Sequence, residues 1–380
     1  MKSERVLIVG GGVAGLMCKN RLEHLGYRPV LVEKADVLRS DGAGILLGAN
    51  VLKIFRKCAL EEALMRYAQS LDEIMLYDQY GRPLGRFDLE KIREETSYPT
   101  LAVHRKRLHE ILLNSVDAST IRLCHKVVKI AEHGMALQVT YENGVREEYD
   151  YVIGADGLRS NIRELYVGTV PLRDAGYVCW RFVCDRPVAL DVKSSSEFWD
   201  TKNKRVGIFP IGEDKIYCFL LASKKGGEEA MDFTEVLEYF KDFGGDWQHV
   251  VASLDTDTTE LLYNPIADLS HVALQKGNVI LIGDAGHATT PNLGQGAAIG
   301  IESAYAFGEL LKSHPFAEAI RLYPQKRLKR VSYIRNKSHM IGQMAHGIPT
   351  FFQPIREFIM RITPESMNQR EFERAILGGF

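Results

Sequence analysis

Val6-Leu7-Ile8-Val9-Gly10-Gly11-Gly12-Val13-Ala14-Gly15 reads as a short buried strand, a tight turn and the first turn of a helix that continues through Leu16-Met17-Cys18-Lys19. Gly10, Gly12 and Gly15 stand in G-x-G-x-x-G register. Glycines at those positions let the chain turn sharply, let a pyrophosphate approach bare backbone and let the helix lie close on the strand. A second apolar run, Val30-Leu31-Val32, ends in Glu33, whose carboxylate is placed to accept hydrogen bonds from an adenosine ribose. Such a start predicts a dinucleotide site. Far downstream, Val279-Ile280-Leu281-Ile282-Gly283-Asp284 repeats the pattern of a buried strand ending in a carboxylate. It leads into Pro291-Asn292-Leu293-Gly294-Gln295-Gly296 and a helix of small residues, so one ligand is expected to touch both regions.

The chain has 380 residues, enough for a large core. Lys+Arg 48 against Asp+Glu 49 leaves a net charge of -1, and no global field draws it to nucleic acid or anionic lipid. Six cysteines are scattered without C-x-x-C spacing, and the first core strand follows closely on Met1-Lys2-Ser3-Glu4 without the pattern of a signal peptide. The expectation is a cytoplasmic protein. No run of roughly 18 apolar residues is present to span a bilayer, and no membrane partner is expected.

Helical spacing at Val51-Leu52-Ile54-Phe55 and Leu108-Ile111-Leu112-Leu113 alternates with strand patterns at Val127–Ile130, Leu137–Tyr141 and Tyr151–Ile153, with Asn143-Gly144 as a hairpin turn. Residues 1–70, 100–170 and 279–345 are expected to form one α/β unit in three pieces. Residues 71–99, with a hairpin around Gly81, and 171–278 carry short strands at 177–183, 196–199, 205–209 and 215–221, expected as a second, mostly antiparallel sheet against which a planar or apolar ligand can lie. Residues 346–380 are read as a helical tail. Within it, Phe351 to Met360 is amphipathic and is expected to pack on the protein's own surface. The basic run Lys326-Arg327-Leu328-Lys329-Arg330 is read as a solvated helix face.

Three further groups bear on a ligand. Arg105 stands where a helix begins and can act as a bidentate donor to a pyrophosphate. Asp156 and Gly157 follow the strand at 151–153; Asp156 with Ser160 also suits a turn and a helix cap. Asp284 can hold polyol hydroxyls, while Gly294 and Gly296 offer backbone N–H groups at a helix start.

Gly10-x-Gly12-x-x-Gly15 with Glu33, Asp156-Gly157-x-x-Ser160-x-x-Arg163, and Gly283-Asp284-Ala285 through Pro291-x-x-Gly294-Gln295-Gly296 together resemble, in order along nearly the whole chain, the class A FAD-dependent aromatic hydroxylases of the para-hydroxybenzoate hydroxylase fold. The resemblance implies an α/β fold with a Rossmann-like FAD domain, a mostly antiparallel substrate sheet and C-terminal helices. It implies FAD as cofactor and NADPH or NADH as transient reductant, which fits a chain with one G-x-G-x-x-G. An aromatic or polycyclic ring is then hydroxylated with O2 through a C4a-hydroperoxyflavin, by a monomer or homodimer. Cofactor contacts fall on Gly10, Gly12, Val13, Ala14, Gly15, Glu33 and Lys34 at the adenosine end and Arg105 near the pyrophosphate. Asp156 and Gly157 would support FAD and reductant, Asp284 the ribityl chain, and Pro291, Gly294, Gln295 and Gly296 the flavin ring. Backbone donors and a helix dipole there favour the anionic reduced ring. No acid-base dyad is required and no metal is expected.

Arg205 and Tyr217 look like the substrate-contacting arginine and tyrosine of bacterial FAD-dependent urate hydroxylases, although an edge-strand arginine and an ordinary sheet tyrosine would read the same. Trp180-Arg181 also recurs in the family. Asn292 and Ala288 depart from the urate enzymes' loop, which points to a small phenolic or heteroaromatic substrate instead. His287 is read as a packed loop histidine. A reductase or oxidase on the same fold, or a non-catalytic flavin- or ligand-binding protein, are the alternative functions.

Overall fold

Val6–Val9 lies between two parallel neighbours, Val30–Val32 and Tyr151–Gly154, and the latter pairs in turn with Val279–Leu281. Gln275–Lys276 and Ile121–Arg122 complete a six-stranded sheet. Its central strands are apolar along their whole length because both faces are covered. The computed structural model describes residues 2–38, 43–224 and 231–378. Helix Val13–His24 follows the glycine turn and packs on helix Gly296–Ser313. Small residues permit that approach: a Cβ on Gly300 would lie 3.3 Å from Ala14 Cβ, and one on Gly308 3.2 Å from Arg21 Cβ.

Leu262–Leu269, Leu172–Asp185, Lys215–Ser223, Lys204–Gly212, Ser194–Trp199, Glu73–Asp78 and Pro83–Asp88 form a seven-stranded sheet in that order. All pairs are antiparallel except Ser194–Trp199 with Glu73–Asp78. Strand alternation sorts the side chains cleanly. Ile216, Cys218 and Leu220 join Trp180, Phe182 and Phe198 in a core covered by helices Phe233–Tyr239 and Asp246–Ser253, while Tyr217, Phe219 and Leu221 face a cavity. Strand Leu172–Asp185 is longer than its apolar run predicts, extended by an irregularity between Asp174 and Val178 where Gly176 has φ +82°. Two smaller three-stranded sheets are built from Gly44–Leu47, Thr100–His104 and Gln69–Leu71, and from Val127–His133, Ala136–Tyr141 and Arg146–Tyr149.

Two expectations are revised in part. In helix Phe316–Gly342 the basic run is only partly a solvated face: Lys326 and Lys329 are exposed, but Arg327 is buried and, with Arg330, clamps the buried Glu302 at 2.9 Å each. Burial alone would raise the Glu302 pKa, yet the two guanidiniums and Asn50 outweigh it and hold the carboxyl low. In the tail, helix Gln353–Ile362 does pack on the protein's own surface, but through Gln353 and Arg356, and it leaves Ile355, Phe358, Ile359 and Ile362 exposed. Gln353 donates to the Ile348 carbonyl and Asn203; Arg356 donates to the Asp200 and Ala345 carbonyls and stacks on Trp199. Satisfying those groups turns Ile355, Phe358 and Ile362 outward. Among the described residues no helix is long and apolar enough to cross a membrane.

Candidate active site

The glycine turn is rigid by construction. A Cβ on Gly15 would sit 2.0 Å from the Gly10 carbonyl oxygen, and one on Gly10 2.4 Å from that of Ala155, at φ +109°. A Cβ on Gly12 would meet nothing within 4 Å, because Gly12 borders a cavity. Glu33 closes the turn: its carboxylate accepts from the Gly11 N–H at 2.9 Å and the Ala35 N–H at 3.1 Å. His109, buried on helix Arg105–Leu113, contacts the Gly11 carbonyl at 2.8 Å through Nε2. No sequence pattern marked it.

That cavity, about 1330 Å³, runs from the six-stranded sheet to the seven-stranded one. Gly12, Val13, Ala14, Arg105, Gly157, Asp284, Pro291, Gly294 and Gly296 line one side; Arg181, Trp199, Arg205, Tyr217 and Phe219 line the other. Arg105 is exposed and has no side-chain hydrogen bond or ion pair among the described residues. Asp284 is exposed on the cavity wall but closely surrounded by protein, which pushes its carboxyl pKa up against the pull of Arg105. Gly10, Gly15, Glu33, Asp156 and Gln295 stand behind the lining, and Lys34 is exposed away from it.

Asp156 turns inward. Its carboxylate accepts from Ser160 Oγ at 2.5 Å and the Ile162 N–H at 3.1 Å, and Ser160 Oγ in turn accepts from the Arg163 N–H. Arg163, 1% exposed, then reaches across to the Ala285 carbonyl at 2.9 Å and the Leu158 carbonyl at 2.9 Å. The segment thus splints the loops that follow two neighbouring parallel strands, Tyr151–Gly154 and Val279–Leu281. Gln295 is likewise internal: its Oε1 accepts from Asn50, which also donates to Glu302. His287 is fully buried beside Ser303, with its pKa pushed down to about 3 by burial and Arg327, so it stays a neutral packed ring.

Arg205 differs from the expectation of a free ring-binding cation. It is 3% exposed, ion-paired to Glu197, donates to Asn292 Oδ1 at 2.9 Å and lies 4.1 Å over the Trp199 ring. Asn292 donates to the Tyr177 hydroxyl at 2.8 Å and the Ser338 carbonyl at 2.9 Å. Tyr217 presents its ring to the cavity, pressed by strand Gly44–Leu47: a Cβ on Gly44 would come within 2.6 Å of it. Burial raises the Tyr217 phenol pKa, which keeps it neutral. Glu197 and Trp199 escaped the sequence reading, since alternate residues of one short strand carry no motif.

A glycine turn on a parallel strand, a carboxylate that closes it, and an arginine and a second carboxylate lining one cavity fit an extended, phosphate-bearing polyol ligand such as FAD, and define a dinucleotide-dependent oxidoreductase. A family model described as "FAD binding domain" matches residues 3–332. The chain is 31% identical over 378 residues to the 2-heptyl-3-hydroxy-4(1H)-quinolone synthase of Pseudomonas aeruginosa, covering 98% of each. It is 30% identical over 363 residues to the aurachin C monooxygenase/isomerase of Stigmatella aurantiaca, covering 94% of each. The Klebsiella pneumoniae HpxO structure complexed with FAD and uric acid shares the fold with a TM-score of 0.89 at 23% identity, covering 99% of this chain and 97% of that one. The chain belongs to this FAD-binding family, that of the class A FAD-dependent aromatic hydroxylases.

Proposed function

We propose that the protein uses FAD, NAD(P)H and O2 to hydroxylate an aromatic or heteroaromatic ring held against the Tyr217 and Phe219 face of the seven-stranded sheet. The observation that carries this reading is the continuity of one cavity from the glycine turn and Asp284 to that sheet face. Two relatives that span almost the whole chain are named for quinolone and aurachin chemistry, which favours a fused heteroaromatic ring.

Bound FAD would supply the passage of electrons from NAD(P)H to O2 and of one oxygen atom to the ring. The chain's own part is binding, orientation and exclusion of water. Glu33, with Lys34 beside it, serves the adenosine end; Gly10, Gly12, Val13, Ala14 and Gly15 shape the pyrophosphate turn, with Arg105 as its cation. Asp284 serves the ribityl hydroxyls. Pro291, Gly294, Gln295 and Gly296 shape the loop at the start of helix Gly296–Ser313, whose N–H groups favour negative charge. Asp156 and Gly157 act through the Arg163 splint. Arg205 positions Asn292, and Tyr217 offers a neutral hydroxyl and a ring face to the substrate. In this reading residues 1–70, 100–170 and 279–345 hold the cofactor, 71–99 and 171–278 the substrate, and 346–380 walls the cavity's far end. Six unpaired cysteines support a cytoplasmic location.

Screening the holoenzyme against hydroxylated pyridines, quinolones and phenols, with heavy-isotope O2, tests this. A substrate that stimulates NAD(P)H oxidation and gains one heavy oxygen is the expected result. Product formed without O2 would favour a reductase.

A further inference from the structure

Helix Gln353–Ile362 carries its apolar side outward, with Ile355 53%, Phe358 60% and Ile362 62% exposed. Such a stripe is unusual on a free surface. Ile359 belongs both to it and to the cavity wall, and Met367, also more than half exposed, lines the same wall from helix Glu365–Ile376. The cavity therefore opens at this edge. Four of the chain's ten methionines, Met340, Met344, Met360 and Met367, line that end; their flexible thioethers adapt to a chain of variable shape. Across from them stand Leu76 and Phe87 of the hairpin, with the Phe87 and Phe372 rings 4.8 Å apart.

Charge is cancelled along this arm. Lys337 and Glu371, which also border it, pair with each other at 2.6 Å, and the two Arg356 Nη atoms donate to backbone carbonyls, with Glu357 3.9 Å away. Among the described residues the charged side chains that border the arm are already engaged, which disfavours an anionic or zwitterionic tail. The hairpin and helix Glu365–Ile376 are strapped together, Gln369 exchanging hydrogen bonds with the Asp88 backbone at 2.9 and 2.8 Å, so the backbone walls of the arm hold their spacing while its methionine side chains adapt.

We propose that this arm takes an unbranched apolar chain several carbons long, carried by the ring substrate. The ring's identity rests on the hydroxylase reading above; the chain rests on the arm alone.

The test measures holoenzyme affinity for 4-quinolones with 2-methyl, 2-butyl and 2-heptyl groups and for matching 4-alkylphenols, by perturbation of the flavin absorbance. Binding of dansyl-labelled undecanoic acid reads the arm without any ring chemistry. Affinity should rise about threefold to fourfold per added methylene, reaching on the order of a thousandfold from methyl to heptyl if the whole chain is buried. Ile359→Glu and Met344→Glu, both at exposed positions, should flatten that series and weaken dye binding at least tenfold while FAD content stays unchanged. A flat series in both ring families with NAD(P)H oxidation still stimulated overturns the arm and leaves the hydroxylase reading intact. Dye binding and a steep series without any stimulated oxidation support the arm and sink the hydroxylase reading instead. A flat series together with sedimentation on phospholipid vesicles, or with dimerisation lost in Ile359→Glu, gives the stripe to a bilayer or a second copy and overturns the proposal.

Discussion

Arg205 Nη1 donates to Asn292 Oδ1 across 2.9 Å, so a central strand of the seven-stranded sheet holds the turn that leads into helix Gly296–Ser313. Arg205→Lys keeps a cation near Glu197 but loses the planar fork that reaches Asn292. The variant is expected to lose about 1–2 kcal/mol of stability. Its FAD affinity should fall and its KM rise together, measured by denaturant titration, flavin titration and steady-state kinetics. A rise in KM with unaltered FAD affinity would return the arginine to direct substrate binding.

Among the described residues, Asp284 is the carboxylate that lines the cavity just beyond strand Val279–Leu281. If Asp284 holds the ribityl hydroxyls as proposed, Asp284→Ala removes those hydrogen bonds, an effect of about 1.5–3 kcal/mol. FAD should dissociate at least tenfold more readily, and Asp284→Asn should recover part of that loss. Flavin fluorescence during dialysis checks it.

Glu302 is buried between Arg327 and Arg330. Glu302→Ala strands two guanidiniums without a counter-charge, with an expected loss of about 3–5 kcal/mol. Arg330 also donates to the Arg374 and Ala375 carbonyls, so limited proteolysis should cut the last helix faster in this variant.

His287 and His346 both have their pKa pushed down to about 3, by burial and by Arg327 and Arg205 respectively. The unfolded chain takes up these protons near 6.5 and the folded one does not, so their contribution is complete above about pH 6.5 and drains away as pH falls toward 3. Each adds a slope of up to about 1.4 kcal/mol per pH unit in that window. His346 stacks on Tyr177 at 4.3 Å and bonds the Asn203 carbonyl through Nδ1. His346→Gln should make urea midpoints measurably less steep against pH between 6 and 4.

Much of the fold could be read directly. The strand at 6–9, the turn after it and the strand at 279–281 follow from apolar runs that end in glycine or a carboxylate, because backbone sterics and phosphate approach admit few residues there. The cavity's polar fastenings were less legible. Arg327 and Arg330 look solvated until Glu302, an acid in the middle of the small-residue stretch of helix Gly296–Ser313, supplies the reason for burying them; that acid was the available signal. The inverted helix at 353–362 reads as plainly amphipathic, and periodicity alone does not say which side faces in. Only Trp199 and the carbonyls around Arg356 decide it.

The pairing of Tyr151–Gly154 with Val279–Leu281 has a consequence for biosynthesis. During translation the amino-terminal strands emerge early, yet their outer neighbour, and Asp284 just beyond it, leave the ribosome only after most of the chain has been made. A nascent polypeptide stalled before that point would have half a cradle, and coenzyme capture becomes a late event that reports completion of the fold.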